Sequence, residues 1–233
     1  MNSFPTKTMV SFGPEVILGQ NSYLIKDLLL QVSRRLDWRF LLPDPDLDCV
    51  AYIGLEKDPF VEALRLFSRT LTQIEPSEVE FHAVNEFDLV VVKNPSIRSL
   101  TLGAKLVKPS GYIYIEGYGW SRLIHPRKFG RFCLDLIRHG RSSIHHWLPT
   151  GCRALIQKYG FQSVETYWHW PTLDASTRMI RVDHANPFAI AYSFQDHGIQ
   201  LLVKKSLSNG LLPADWVQYC VPYFSIIARK DSL

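Results

Sequence analysis

Short apolar runs alternate with helical stretches from Asp48 onward, and this alternation constrains the fold more than any other feature of the chain. Runs such as DCVAYIGL (Asp48–Leu55) and FDLVVV (Phe87–Val92) are apolar almost throughout, as strands covered on both faces must be. Strands separated by helices of about 10 to 16 residues are joined by crossovers, which lays them parallel with helices on both faces. The expected fold class is α/β, a doubly wound, mostly parallel, seven-stranded sheet. All-β and all-α arrangements do not survive this alternation.

Strands are predicted at Lys7–Phe12, Asp48–Leu55, Glu78–Val84, Phe87–Val92, Tyr112–Glu116, Phe161 to about Trp170, and Val221–Arg229. Helices are predicted at Tyr23–Val32, Asp58–Gln73, Ile97–Val107 and Cys152–Tyr159. The second of these opens with Asp58 as cap and Pro59 at the first helical position, and Phe60, Leu64, Phe67 and Leu71 form its apolar stripe. Lys108-Pro109-Ser110-Gly111 reads as a turn. The whole chain, 1–233, is expected to be one domain with a lid-like insertion at 118–149 and a second insertion at 183–219.

Three passages resemble class I S-adenosylmethionine-dependent methyltransferases. AYIGLEKDPFVEALRL (Ala51–Leu66) is similar to the family's second strand, its terminal acid and the helix after it. FDLVVVKNP (Phe87–Pro95) is similar to the fourth strand, and GAKLVKPSGYIYIEG (Gly103–Gly117) to the helix, K-P-x-G turn and fifth strand. RALIQKYGFQSVETYW resembles the next helix and strand, and VPYFSIIARK the seventh, antiparallel strand. The resemblance implies a Rossmann-like methyltransferase fold, with insertions after the fifth and sixth strands, and S-adenosyl-L-methionine as cofactor.

It also implies site residues. Glu56, at the end of the supposed second strand, would accept hydrogen bonds from both ribose hydroxyls with its two carboxylate oxygens. Its other reading is a helix-capping or solvated acid. Asn85 falls where the family contacts adenine, and it also reads as a turn residue. The family's glycine-rich loop would fall at Gly13–Gly19, where only those two glycines remain and the expected strand acid is missing. That departure motivates a second hypothesis, in which the fold persists without the methyl donor as a binding module or an enzyme of other chemistry.

The charge of +4 is local. Ser121 to Arg141 holds six basic residues against Asp135, hence +5 there and −1 elsewhere. Phe129, Phe132, Cys133, Leu136 and Ile137 fall at helical spacing within it, so an amphipathic lid helix is expected. Arg127 and Arg131 either grip a phosphate or carboxylate or form a solvated basic face. SSIHHWLP and TYWHWP supply His146 and His169 as candidate proton acceptors, and Trp147 and Trp168 as surfaces for a planar or sugar ring. Adjacent histidines without carboxylate spacing make a poor ligand set, and no metal is expected.

Hydrophobic residues at 46% with charged residues at 21% exclude a disordered chain. No apolar run approaches the roughly 18 residues of a membrane span, and the start of the chain has no signal-peptide pattern, so a cytoplasmic location is expected. Cys49, Cys133, Cys152 and Cys220 lie too far apart for a CxxC and are expected to be reduced. GxSxG and Walker A motifs are absent. The expected activity is methyl transfer to an oxygen or nitrogen of a small acidic or aromatic or sugar-containing metabolite. Nucleic acid is not an expected partner, and the oligomeric state is not legible.

Overall fold

The computed structural model describes residues 36–55, 58–75, 84–119, 148–170, 173, 176, 178–182, 205, 209, 221 and 223–232. Among the described residues seven strands form one sheet: β1 (Leu47–Ile53), β2 (Ser68–Ile74), β3 (Phe87–Lys93), β4 (Val107–Gly117), β5 (Phe161–Trp170), β6 (Arg178–Arg181) and β7 (Phe224–Lys230). Their order across the sheet is β2-β1-β3-β4-β7-β5-β6. The pairs β2–β1, β1–β3 and β3–β4 are parallel, whereas β7 runs antiparallel to both β4 and β5 and β6 antiparallel to β5. This is the doubly wound, mostly parallel sheet of the Rossmann-like methyltransferase fold, with β7 as the reversed strand expected from VPYFSIIARK. No described helix is long and apolar enough to cross a membrane.

Helices α1 (Pro59–Phe67), α2 (Ile97–Leu106) and α3 (Pro149–Gln157) connect the strands. On one face Phe60, Val61 and Leu64 of α1 pack on Val50, Tyr52, Leu89, Val91 and Tyr114. Trp38 closes that face by stacking on Tyr114, with ring centroids 3.9 Å apart. On the other face Leu100 and Ala104 of α2 and Cys152 and Ile156 of α3 cover Ala51, Ile53, Val90, Val92, Ile113 and Ile115. The strands carry apolar side chains to both layers, which is why their sequences do not alternate.

Two predicted elements change. The Asp58–Gln73 helix stops at Phe67, where the Ser68 hydroxyl bonds back to the Leu64 carbonyl at 2.6 Å, and Ser68–Ile74 becomes strand β2, at one edge of the described sheet. Thr70 and Thr72 favour that strand, which pairs in parallel with β1 from Leu47 beside Ser68 to Ile53 beside Ile74. The turn at Lys108–Gly111 is a wide bulge inside β4: Val107 pairs with Phe87 and Tyr112 with Leu89, and Ser110 takes φ 64°. Gly111 is required beside it, because a Cβ there would lie 2.8 Å from the Asp88 carbonyl. The short strand β6 was not anticipated. The predicted Lys7–Phe12 strand and Tyr23–Val32 helix lie outside the described residues, as does nearly all of Glu78–Val84.

Candidate functional site

In an open α/β sheet the ligand crevice lies beyond the carboxyl ends of the strands, where the winding reverses. Among the described strands, the path runs from β1 outward to β2, returns past β1 to β3 and continues to β4. The reversal is therefore at β1, and the crevice is the rim carrying Gly54, Asp58, Glu75, Lys93 and Glu116. This corrects the expected alignment. Among the described strands, the strand before Glu56 is not the second from the reversal but the one at which the reversal occurs, so Gly54 stands at the position in the winding that Gly13–Gly19 were expected to follow.

Each rim residue has a local cause. Asp58 caps α1, its Oδ1 accepting from the Phe60 N–H at 3.0 Å, with Pro59 opening the helix as predicted. Gly54 carries no side chain because a Cβ there would lie 2.4 Å from the Tyr52 hydroxyl; the Tyr52 ring fills that cradle. Ile53 pairs with Ile74, so the next residues, Gly54 and Glu75, emerge side by side. Glu75 is an exposed carboxylate at the end of β2.

Behind this rim is a buried ionic cluster. The Lys93 ammonium lies 2.5 Å from Asp58 Oδ2 and 3.8 Å from Glu116 Oε2, with all three side chains at most 9% exposed. Tyr52 donates to the same Asp58 oxygen at 3.2 Å. The Phe60 ring sits 5.6 Å from the ammonium. Register places Lys93 beside Glu116 and Glu116 opposite Ser225. Farther along, His169 Nε2 and Ser225 Oγ share a buried 2.7 Å hydrogen bond. Ionic and hydroxylic groups thus run along one rim across β1, β3, β4, β7 and β5.

The sequence candidates are distributed unevenly about this rim. His169 lies near the carboxyl end of β5, on the same face as Ser225, and is 3% exposed. Trp168 points to the opposite face and packs in the core with Cys152 and Phe224, so it offers no ring to a substrate in this arrangement. Asn85 precedes β3, on the order of 20 Å from the carboxyl rim given the rise of a strand. It is a turn residue at φ 62° whose Oδ1 accepts from Lys230. This removes it from the ligand rim, and the turn reading holds. Gly13, Gly19, Glu56, Arg127, Arg131, His146 and Trp147 lie outside the described residues.

Sequence reasoning missed Glu75 and Lys93. The Ile74-Glu75-Pro76 break marked the end of an element, but a helix carried through to Gln73 hid it. A cavity of about 360 Å³ lies at the opposite, amino rim between Leu42, Asp46, Asp88, Lys108, Tyr112 and Arg229. Lys108 and Asp88 are ion-paired within it.

Sheet order and crevice define a Rossmann-like α/β protein of the methyltransferase fold type. Solved structures similar to this chain include a S-adenosylmethionine-dependent methyltransferase from Archaeoglobus fulgidus, at 14% identity and TM-score 0.49, covering 90% of this chain and 100% of that one. Others are a possible histamine N-methyltransferase from Thermotoga maritima, at 12% identity, TM-score 0.45 and coverage of 90% and 93%, and the N-methyltransferase NodS from Bradyrhizobium japonicum, at 11%, 0.42, 91% and 98%. No family model matches the chain, and no curated protein does so significantly. Likenesses this distant assign no residue a role; the fold stands on its own strand order and register.

Proposed function

We propose that the protein is an S-adenosylmethionine-dependent methyltransferase for a small molecule, with the donor at the carboxyl rim beside β1. The observation that carries this reading is the reversal of winding at β1, with Gly54 and Glu75 emerging together at the crevice. The residues fit the donor there. The Glu75 carboxylate offers two acceptor oxygens to a ribose diol, taking the role first assigned to Glu56. Bound S-adenosylmethionine supplies an electrophilic methyl group on a sulfonium.

The protein's own contribution is to hold the acceptor in line and remove its proton. His169 is the described group suited to that, its ring fixed through Nε2 by Ser225. His146 belongs to the same proposal. Arg127 and Arg131 are proposed to grip an acidic acceptor, and Trp147 to stack on its ring, within a lid at 118–149. The acceptor atom is an oxygen or nitrogen of an acidic, aromatic or sugar-containing metabolite.

Lys93 favours a second reading, in which the fold has lost the donor and serves another ligand. Its ammonium, held by Asp58 and Glu116, fills space at the reversal point. Native mass spectrometry of the purified protein separates the two. A mass increment matching one S-adenosylmethionine or S-adenosylhomocysteine, retained or gained on addition, supports methyl transfer. No increment at saturating donor refutes it.

A further inference from the structure

We propose that the cavity at the amino rim is a second ligand site, for a small zwitterion whose cationic end meets Asp44 and Asp46 and whose anionic end meets Arg229. It lies at the rim opposite the proposed donor crevice and does not depend on the donor reading. The cavity exists because β4 is interrupted there. Val107 pairs with Phe87 and Tyr112 with Leu89, so the whole stretch Lys108–Gly111 stands opposite Asp88 alone. Ser110 turns the chain back through φ 64°, and Gly111 adds no side chain to the opening. Leu42, Leu47 and Leu89, all buried, give the cavity an apolar floor.

The charges around it divide by position along the sheet. Asp44, Asp46 and Asp48 come from the segment entering β1 and from its start, Arg229 from the end of β7, and Asp88 and Lys108 from β3 and β4 between them. The middle two are paired with each other. Asp48 lies 3.3 Å from Arg69 of β2. Among the described residues Asp44, Asp46 and Arg229 enter no ion pair. Asp44 Oδ1 accepts from the Asp46 N–H at 3.0 Å, which ties these two acids together in one turn. What remains is anionic at one end and cationic at the other. Strand order β1-β3-β4-β7 sets the ends about 14 Å apart at the backbone, and the side chains shorten that gap. A purely anionic ligand meets two carboxylates, and a purely cationic one leaves the guanidinium opposed. A molecule with both charges joined by a short apolar chain satisfies both ends and the floor, and Arg229 offers its anionic group a planar fork.

The test follows backbone amide resonances of the whole chain by NMR during titration with three probes: 6-aminohexanoate, hexylammonium and hexanoate. The first carries both charges on a short apolar chain, and each of the others carries one. 6-Aminohexanoate should shift the Leu89, Ser110 and Gly111 amides with a Kd of about 1 mM or below. Each singly charged probe should bind at least about tenfold more weakly. In Arg229→Gln the affinity for 6-aminohexanoate should fall to that of hexylammonium, and in the double variant Asp44→Asn, Asp46→Asn to that of hexanoate. The three-probe comparison on wild type needs no variant, so a substitution that fails to fold leaves the test intact. Hexylammonium or hexanoate binding as tightly as 6-aminohexanoate shows that one wall alone suffices and overturns the zwitterion site. So does the absence of any shift at these amides with the probe at about tenfold the expected Kd. S-adenosylhomocysteine is titrated separately: its failure to bind refutes the donor reading and leaves the amino-rim site standing.

Discussion

Replacing Asp58 by alanine removes two things that can be measured apart. The first is the cap of α1, the bond from the Phe60 N–H, worth about 1 kcal/mol. The second is the main counter-ion of Lys93, which is left at 9% exposure with Glu116 at 3.8 Å. Stranding a buried charge costs about 3–5 kcal/mol when nothing else compensates, and the remaining carboxylate places the cost near the lower end. Asp58→Ala should thus lose about 4 kcal/mol in all. Asparagine caps as well as aspartate, so Asp58→Asn should lose about 3 kcal/mol, nearly all of it electrostatic. Urea denaturation of wild type, Asp58→Asn, Lys93→Met and the double variant closes a cycle. The double variant should be more stable than the sum of the singles implies by about 1–2 kcal/mol, because each single strands charges that the double partly removes. Additivity within about 0.5 kcal/mol would refute the buried pair as a coupled unit.

Other consequences follow from separate contacts. Lys230 donates to the carbonyls of Ala104 and Val107 and to Asn85, tying β7 to the end of α2; Lys230→Met should lower the thermal midpoint by several degrees. Burial pushes the Lys230 ammonium below its ordinary value of 10.5. In the alkaline range up to 10.5 the unfolded chain then holds more protons at this residue, so its contribution to stability rises with pH. That rise should vanish in Lys230→Met, as urea midpoints across the range would reveal. Gly111→Ala drives a methyl to 2.8 Å from the Asp88 carbonyl and should cost about 1–3 kcal/mol, measured the same way. Ser225→Ala removes a hydrogen-bond partner of His169 Nε2 and should shift the His169 ring resonances in NMR spectra; unmoved resonances count against a fixed ring.

The central strands were legible because burial on both faces leaves an unbroken apolar signature, as in FDLVVV. The start of α1 was legible because Asp58-Pro59 states its cap chemistry locally. Its end was not. Phe60, Leu64, Phe67 and Leu71 fit a helical stripe, and Leu71 serves equally well in β2; pairing with β1, a partner remote in sequence, decided between them. With the helix drawn to Gln73, Glu75 had no strand to end, and Glu56 was the acid read as closing one. Lys93 carries no local signal, because its partners Asp58 and Glu116 are remote in sequence and only the sheet brings them together. The fold class needed local pattern alone, whereas the rim needed the order of the strands.

The most direct test of the account is calorimetric titration of S-adenosylhomocysteine into wild type, Glu75→Gln and Glu56→Gln. Loss of a charged acceptor from hydrogen bonds to a ribose diol costs about 1.5–3 kcal/mol, so Glu75→Gln should bind at least tenfold more weakly while Glu56→Gln stays near wild type. A wild type that releases no heat and binds nothing, or a Glu75→Gln protein that binds as tightly as wild type, would contradict it.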